Sequence, residues 1–529
     1  MSLDSFLYDL LYDIDKTKPP ERVVDWEDGP LPYKLYRGLP AVPLSADIPL
    51  TLTEGMKQRK PPDLKTLGHF LWYSCGLAQL SHCILPGKES ERDLFQMYRR
   101  FAPSGGALYP NECYVYLNIE GLSKGVYHYD AAHHRLVQLR EGCFDSYLKR
   151  ALGYSCDVEE CFAVVFVTAM FWKNLFKYSS FSYRLQGLDA GAMIGQLLEA
   201  AKRYGYDAGV CFRFLDRAVN HLLGLSEQEE SVYAAIALSA KPAAAWFNAP
   251  GMNETRERLD VSSSLSRELP TLQHVHYVRS RTIQPFPLLL EMNEAAMLNS
   301  IEPLLPFATG RTSIFGEERS MSLPSPERLT YDFAAVSRNR YSPDGDFIFG
   351  EVSRQELAIL LRETVASFAY QNDLDFSSEH ALPRVSLHVC THKVEDLPDG
   401  AYGYDGAKHT LQLARSGDQR LWIQQGMPAD NVNVLQVPLC FHVAGDRRHL
   451  AAALGYRGFR IQQMEAGMLV QRLLLTASAL GLGGHPLLGY DTRLSDSIYG
   501  ISEKGLCSLI QIPVGPYRPS PRLTAGLHG

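Results

Sequence analysis

Apolar positions along the chain fall into two matching series. From Leu64 the positions Leu67, Phe70, Leu71 and Cys75 have helical spacing. Cys113 to Leu117 and Ala163 to Thr168 are short apolar runs that read as strands. Leu188 to Tyr204 carries a long helical stripe, and Val232 to Leu238 reads as a closing strand. The second series has helix Gln355 to Thr364, strand Val385 to Cys390, strand Val434 to His442, helix Met464 to Leu480 and strand Cys507 to Val514. Each series is therefore α+β.

Residue identities put the series in register as a tandem duplication. Gly125-Val-Tyr127-His-Tyr129-Asp130 returns as Gly400-Ala-Tyr402-Gly-Tyr404-Asp405. Arg184-Leu-Gln186-Gly-Leu-Asp189-Ala190-Gly191 returns as Arg460-Ile-Gln462-Gln-Met-Glu465-Ala466-Gly467, and the register continues through Leu197/Leu473 and Gly205/Gly481. The copies are unequal. The first spends more residues from Leu67 to Gly125 than the second from Leu357 to Gly400, and Pro103-Ser104-Gly105-Gly106-Ala107-Leu108-Tyr109-Pro110 lies in that excess. The second alone carries Ser337-Arg338-Asn339-Arg340 and Gly483-Gly484-His485-Pro486. Two half-equipped copies imply one shared site.

The expected domains are an N-terminal arm (1–62), a first domain (63–245), a connection (246–325) and a second domain (326–529). The arm is rich in proline and aromatics, with turn signals at Lys18-Pro19-Pro20 and Gly29-Pro30. The connection holds Ser262-Ser263-Ser264 and Pro285-Phe-Pro287-Leu-Leu-Leu. It is too long for one structureless loop, so part of it should be helical or packed on the domains.

Composition narrows the function by exclusion. At 529 residues, 46% hydrophobic and 21% charged, the chain can bury two substantial cores. A net charge of -7 and a pI near 6.2 argue against nucleic-acid or anionic-membrane partners. Phe162 to Phe171 is too short to span a bilayer and reads as a buried strand. The start, Met1-Ser-Leu-Asp-Ser-Phe, lacks a signal-peptide pattern, so the expected location is the cytoplasm. The ten cysteines form no CxxC pair, and Cys156 with Cys161 lacks a second pair. No metal and no structural disulfide are expected, and His133-His134 and His274-Val-His276 should lie on solvated surfaces.

Four motifs carry candidate chemistry. Pro103-Ser-Gly-Gly reads as a turn between helix and strand, or as a loop whose amides and Ser104 hydroxyl approach a flat, partly anionic ligand. Arg338 and Arg340, alternating on an extended segment, would project to one side, either into solvent or as a phosphate clamp with Arg518 nearby. Gly481-Leu-Gly483-Gly484 stops the long helix, and its amides either cap it or face a ligand. Lys177-Tyr178, with Gly455-Tyr456 at that place in the second copy, is a surface lysine beside a core tyrosine or a base with a proton relay.

Arg-x-x-Pro-Ser-Gly-Gly-Ala-Leu-Tyr-Pro, Gly-Val-Tyr-His-Tyr-Asp and Lys-Tyr before a helix with Asp-Ala-Gly together resemble the SagB/McbC-type azoline dehydrogenases. So does the opening Asp15 to Tyr36, with Lys16-Thr17-Lys18, Asp25-Trp26 and Pro32-Tyr-Lys34. The resemblance spans both copies and implies two tandem nitroreductase-like domains forming an intrachain pseudo-dimer. In that family FMN binds where two protomers meet. Carried over, Arg338, Arg340 and Arg518 would hold the phosphate, and Ser337, Gly483 and Gly484 the polar side of the ring. Pro103, Ser104, Gly105 and Tyr109 would come from the first copy, and the second cleft would hold no flavin.

The resemblance further implies oxidation of a peptidyl thiazoline or oxazoline to the azole, with Lys177 and Tyr178 handling the ring proton and dioxygen as acceptor. The lead-in begins almost at Met1, so no leader-binding module is expected. Presentation by a carrier domain of a nonribosomal peptide synthetase is favoured slightly over a cyclodehydratase acting on a ribosomal peptide. The chain would work as a monomeric pseudo-dimer or a homodimer. A nicotinamide-dependent nitroreductase or ene-type reductase, and a non-catalytic duplicated scaffold, are the competing readings.

Overall fold

The computed structural model describes residues 1–17, 23–53, 59–86, 92–247, 261–301, 320–375, 384–429, 431–519 and 523–527. The turn signal at Lys18-Pro19-Pro20 lies outside them. The first copy opens with α1 (Leu3–Tyr12), β1 (Ala41–Pro43), α2 (Leu64–Cys75), β2 (Leu77–Pro86) and β3 (Arg92–Arg100). Next come β4 (Asn111–Leu117), β5 (Gly125–Asp130), β6 (Arg135–Glu141), α3 (Asp145–Ala151), β7 (Ala163–Met170) and α4 (Trp172–Tyr178). It closes with α5 (Ser182–Tyr204), β8 (Asp207–Cys211), α6 (Asp216–Leu223) and β9 (Glu230–Ser239), and α7 (Ser262–Ser266) follows. The second copy opens with α8 (Pro287–Ala295), β10 (Ser320–Ser322), α9 (Phe333–Asn339), α10 (Arg354–Val365) and β11 (Gln371–Asn372). It continues through β12 (Val385–Thr391), β13 (Gly400–Asp405), β14 (Thr410–Ser416), α11 (Arg420–Gln425), β15 (Leu439–Asp446) and α12 (Ala451–Leu454). It ends with α13 (Arg457–Ala479), β16 (Gly483–Gly484), α14 (Thr492–Tyr499), β17 (Leu506–Gly515) and β18 (Leu523–Gly526).

The two sheets have one topology. Strand order β1-β6-β5-β4-β7-β9-β8 in the first copy is repeated as β10-β14-β13-β12-β15-β17-β16 in the second. Strands also cross over: β11 of the second copy adds to β8 in parallel, and β18 pairs with β2 of the hairpin β2–β3. That hairpin accounts for much of the first copy's extra length. The duplication reaches the arms too. Arg184 donates to the Leu10 carbonyl of α1, and Arg460 to the Asn293 side chain of α8. In the same way Ala41 faces Val137 and Ser320 faces Gln412. Parts of 246–325 thus repeat parts of 1–62.

The long helices α5 and α13 pack against each other at the centre of the molecule. A Cβ on Gly191 would lie 1.9 Å from the Met464 carbonyl oxygen, and one on Gly467 would lie 2.1 Å from that of Leu188. Gly191 and Gly467 are register mates, as are Leu188 and Met464, so the contact is symmetric and closes only without side chains. Gly467→Ala should lower stability by about 1–3 kcal/mol through overpacking; an unshifted denaturation midpoint would contradict this contact. One apolar core runs through both copies, from Phe70 and Val165 to Phe441 and Leu509, with smaller cores behind each sheet. No described helix is long and apolar enough to cross a membrane.

Four local expectations are corrected. Both long helices begin earlier than their apolar stripes, because Arg184, Gln186, Arg460 and Gln462 are buried polar members of their first two turns. Val434–Gln436 is a 3-10 turn capped by the Asn433 side chain, and the strand starts only at Leu439, after Pro438. His134 is buried, bonded to the Tyr129 hydroxyl and to the Ser45 carbonyl. Ser337–Asn339 is helical, not extended, since Asp332 caps α9 through the Ala334 and Ala335 amides. The two arginines therefore diverge: Arg338, half-buried, donates to the Leu50 carbonyl, and Arg340 turns inward.

Candidate active site

A cleft of about 980 Å³ lies between the copies. α5 contributes Leu185, Leu188, Asp189 and Ala192 to its lining, and α13 contributes Gly467 and Val470. The first copy adds Pro103–Ala107, Tyr109, Lys177 and Tyr178, and the second adds Arg340–Ser342 and His485–Tyr490.

The 103–109 loop is pinned at both ends. At one end the Asp189 carboxylate accepts from the Ser104 hydroxyl at 2.6 Å and from the Gly105 amide at 3.1 Å, while Ser104 accepts from the Tyr109 amide. Burial raises the Asp189 carboxyl to about 7, against the opposing effect of those two bonds. At the other end Lys173 donates to the Tyr109 carbonyl and pairs with buried Glu112, and the Arg100 amide donates to the Tyr109 hydroxyl. Burial alone would raise the Glu112 carboxyl, yet Lys173 and His128 hold it well below the usual range. Removing one member of such a buried pair costs about 3–5 kcal/mol, so the loop has a stiff foundation. It needs one: Ala107 and Tyr109 hold positive φ of 56° and 48°, strain of the kind kept at functional sites. Between them and the clamp, Gly106 has φ 64°, and a Cβ there would meet the Tyr178 hydroxyl at 2.5 Å and Lys177 Nζ at 3.0 Å.

Lys177 sits with its Nζ 5.2 Å from the Trp26 ring centre and 4.8 Å from that of Tyr178. No carboxylate pairs with it among the described residues, and burial lowers its ammonium below the ordinary lysine value. Burial, then the Asp189 charge, pushes the Tyr178 phenol the other way. The next residue, Ser179, is strained at φ 52°, ψ -146°. Gly455 adopts φ 54°, ψ -137° in the second copy. That match puts Ala453-Leu454, not Gly455-Tyr456, in the place of Lys177-Tyr178.

Arg99 and Arg340 stitch the copies together. Arg99 donates to the Arg338 and Arg340 carbonyls, and Arg340 Nε donates to the Phe101 carbonyl at 3.1 Å. Neither guanidinium has a carboxylate partner among the described residues, and Arg99 Nε is buried without an acceptor. Burial, then the like charge of Arg99, lowers Arg340 to about 9. Two cations on a cleft wall, Arg340 buried and Arg99 half-buried, each with spare donors, fit an anionic group such as a phosphate.

Comparison with known proteins agrees with this architecture. The sequence model of the nitroreductase family matches residues 58–238. Those residues form a nitroreductase family domain. A solved structure from Anabaena variabilis, described as a nitroreductase, aligns over 98% of this chain and 100% of its own at 22% identity and a TM-score of 0.70. The whole two-copy chain thus has the nitroreductase fold. The trifolitoxin-processing protein TfxB of Rhizobium leguminosarum bv. trifolii is 31% identical over 143 residues, 26% of this chain. The match spans 38% of TfxB's length. A chain of the E. coli microcin synthetase McbBCD complex with truncated pro-MccB17 bound aligns over 41% of this chain and 85% of its own, at 17% identity and a TM-score of 0.28.

Members of the nitroreductase family bind flavin. Of the residues picked from sequence for that role, Pro103, Ser104, Gly105, Tyr109 and Arg340 line the cleft with Lys177 and Tyr178. The others stand off its lining. Ser337 is buried and accepts from Gln196, while Gly483 and Gly484 form β16 against β17. Arg518 is exposed, its amide bonded to the Asp346 carbonyl. Sequence reasoning passed over Arg99 and Asp189. The doubled arginine before the loop, and an acid at the same place in both copies, were the available signals. In the second copy Glu465, the counterpart of Asp189, is taken by Arg384 and Tyr370.

Proposed function

We propose that the chain is an FMN-dependent oxidoreductase that dehydrogenates a peptide-borne thiazoline or oxazoline to the azole. The observation that carries this reading is the convergence of Lys177 and Tyr178 with unpaired Arg99 and Arg340 on one cleft shared by the two copies. Arg340 and Arg99 would hold the FMN phosphate, and the 103–109 loop would face the ring. Bound FMN would supply the two-electron acceptor for the hydride that leaves the azoline, with dioxygen restoring it. Lys177, its proton loosened by burial, takes the ring's α-proton at Nζ. Tyr178, whose phenol holds its proton tightly, donates to the reacting ring or relays the proton from Lys177. Gly106 leaves these two side chains the room they occupy beside the loop.

TfxB is named for processing a toxin, which supports a substrate in the course of maturation. Presentation by a peptide synthetase carrier or by a cyclodehydratase is part of this reading. The test is aerobic incubation of the FMN-loaded protein with a thiazoline peptide, followed by mass spectrometry. Loss of two hydrogens without added nicotinamide is the expected result. Rapid NAD(P)H oxidation with an unaltered thiazoline would overturn it in favour of a reductase.

A further inference from the structure

The duplicated fold provides an internal control for the start of α14. α6 and α14 are equivalent: Asn220 accepts the Val232 amide at 3.0 Å, and Asp496 accepts the Ser508 amide at 2.7 Å from the matching strand. Their first residues, Asp216 and Thr492, therefore occupy one place in the fold. Asp216 is fully used by the chain itself, accepting from the Leu298 amide at 2.8 Å, from Arg457 at 2.6 Å and from Arg460 at 3.2 Å. Thr492 lines the open cleft, is 3% exposed, and its hydroxyl has no hydrogen-bond partner among the described residues. Buried hydroxyls are normally paired, so this one is left for a ligand.

The surroundings select the ligand's chemistry. The cap Asp491 takes the Leu494 amide, which leaves the first-turn amides of Thr492 and Arg493 without intrahelical acceptors. Donors therefore converge on an acceptor. Asp13, Asp15 and Asp491 line the same cleft and repel an anion. Arg493, on the same lining and bonded to the Tyr12 carbonyl and the Tyr8 hydroxyl, offsets Asp491 and Asp13 only in part, so one cation stands against three carboxylates and no net positive charge is left for an anion. A neutral acceptor fits. We propose that Thr492 and the first turn of α14 form a subsite for a main-chain carbonyl of the peptide flanking the heterocycle. The substrate is then a ring embedded in a peptide, not a free azoline. This rests on the azoline reading above for the identity of the ring.

The probes are two thiazole products, which do not react: one capped minimally, one with an amino-acid residue on each side. Their binding to FMN-loaded protein is measured by calorimetry. Thr492→Val should weaken the flanked thiazole about tenfold, the value of one lost hydrogen bond, with the minimal thiazole unchanged. FMN content and the unfolding midpoint should also stay unchanged, and Thr492→Ser should restore binding. Equal affinities of parent and Thr492→Val for the flanked ligand would overturn the subsite. So would a parent that binds neither probe, or loss of FMN with the hydroxyl, which would assign it to the cofactor. If Thr492-dependent binding is seen while no thiazoline is oxidised, the subsite stands and the azoline reading fails.

Discussion

Lys177→Ala should keep its FMN and lose azole formation by about two to four decades, the share of a positioned general base. Among the described residues no carboxylate pairs with the lysine, so its removal breaks no ion pair there. Flavin content and unfolding midpoint are expected to stay at parent values. Because burial lowers the ammonium, the parent rate should rise with pH and level off below the ordinary lysine value of 10.5. In the alanine variant that limb should vanish. Tyr178→Phe keeps the ring against Gly106 and deletes only the hydroxyl, so a large loss there places the proton relay on the phenol. A flavin-replete Lys177→Ala protein that oxidises thiazoline at the parent rate removes the lysine from the chemistry.

Arg340→Ala should weaken FMN retention by about one to two decades, corresponding to roughly 1.5–3 kcal/mol for a charge-assisted contact. Arg340→Lys should recover part of it, since a point charge replaces a fork. Arg338→Ala should leave retention nearly unchanged, because its half-buried side chain stands off the cleft lining and donates to the Leu50 carbonyl. Equilibrium titration of the apoprotein with FMN separates the three. Equal losses in Arg338→Ala and Arg340→Ala would mean that the helical turn of α9 does not set which arginine faces the ligand.

The duplication was legible because glycines and buried polar residues repeat along with the apolar stripe. The Gly191/Gly467 crossing needs both glycines, and Gly205 and Gly481 both stop their helices at positive φ. What the pattern hid lay in residues whose neighbours are distant in sequence. Arg184 and Arg460 look like surface arginines, yet each is buried against the other copy or an arm. The second arm was unreadable because α8 and β10 share little sequence with α1 and β1. Within the site, the glycine loop and Lys177-Tyr178 stood out by residue type. Asp189 and Arg99 did not, since their roles depend on the Ser104 clamp and on carbonyls contributed by the other copy. The extended reading of Ser337–Arg340 failed because the Asp332 cap outweighed the alternation of arginines.

The central claim is that two half-equipped copies build one flavin site. The loop and base come from the first copy, Arg340 from the second, and the counterparts of Asp189 and Thr492, Glu465 and Asp216, are already occupied by Arg384 and Arg457. Heat release and quantification of FMN from saturated, desalted protein tests this most directly. One FMN per chain is the expected result. Two per chain, or a protein that cannot be reconstituted with FMN, would contradict it.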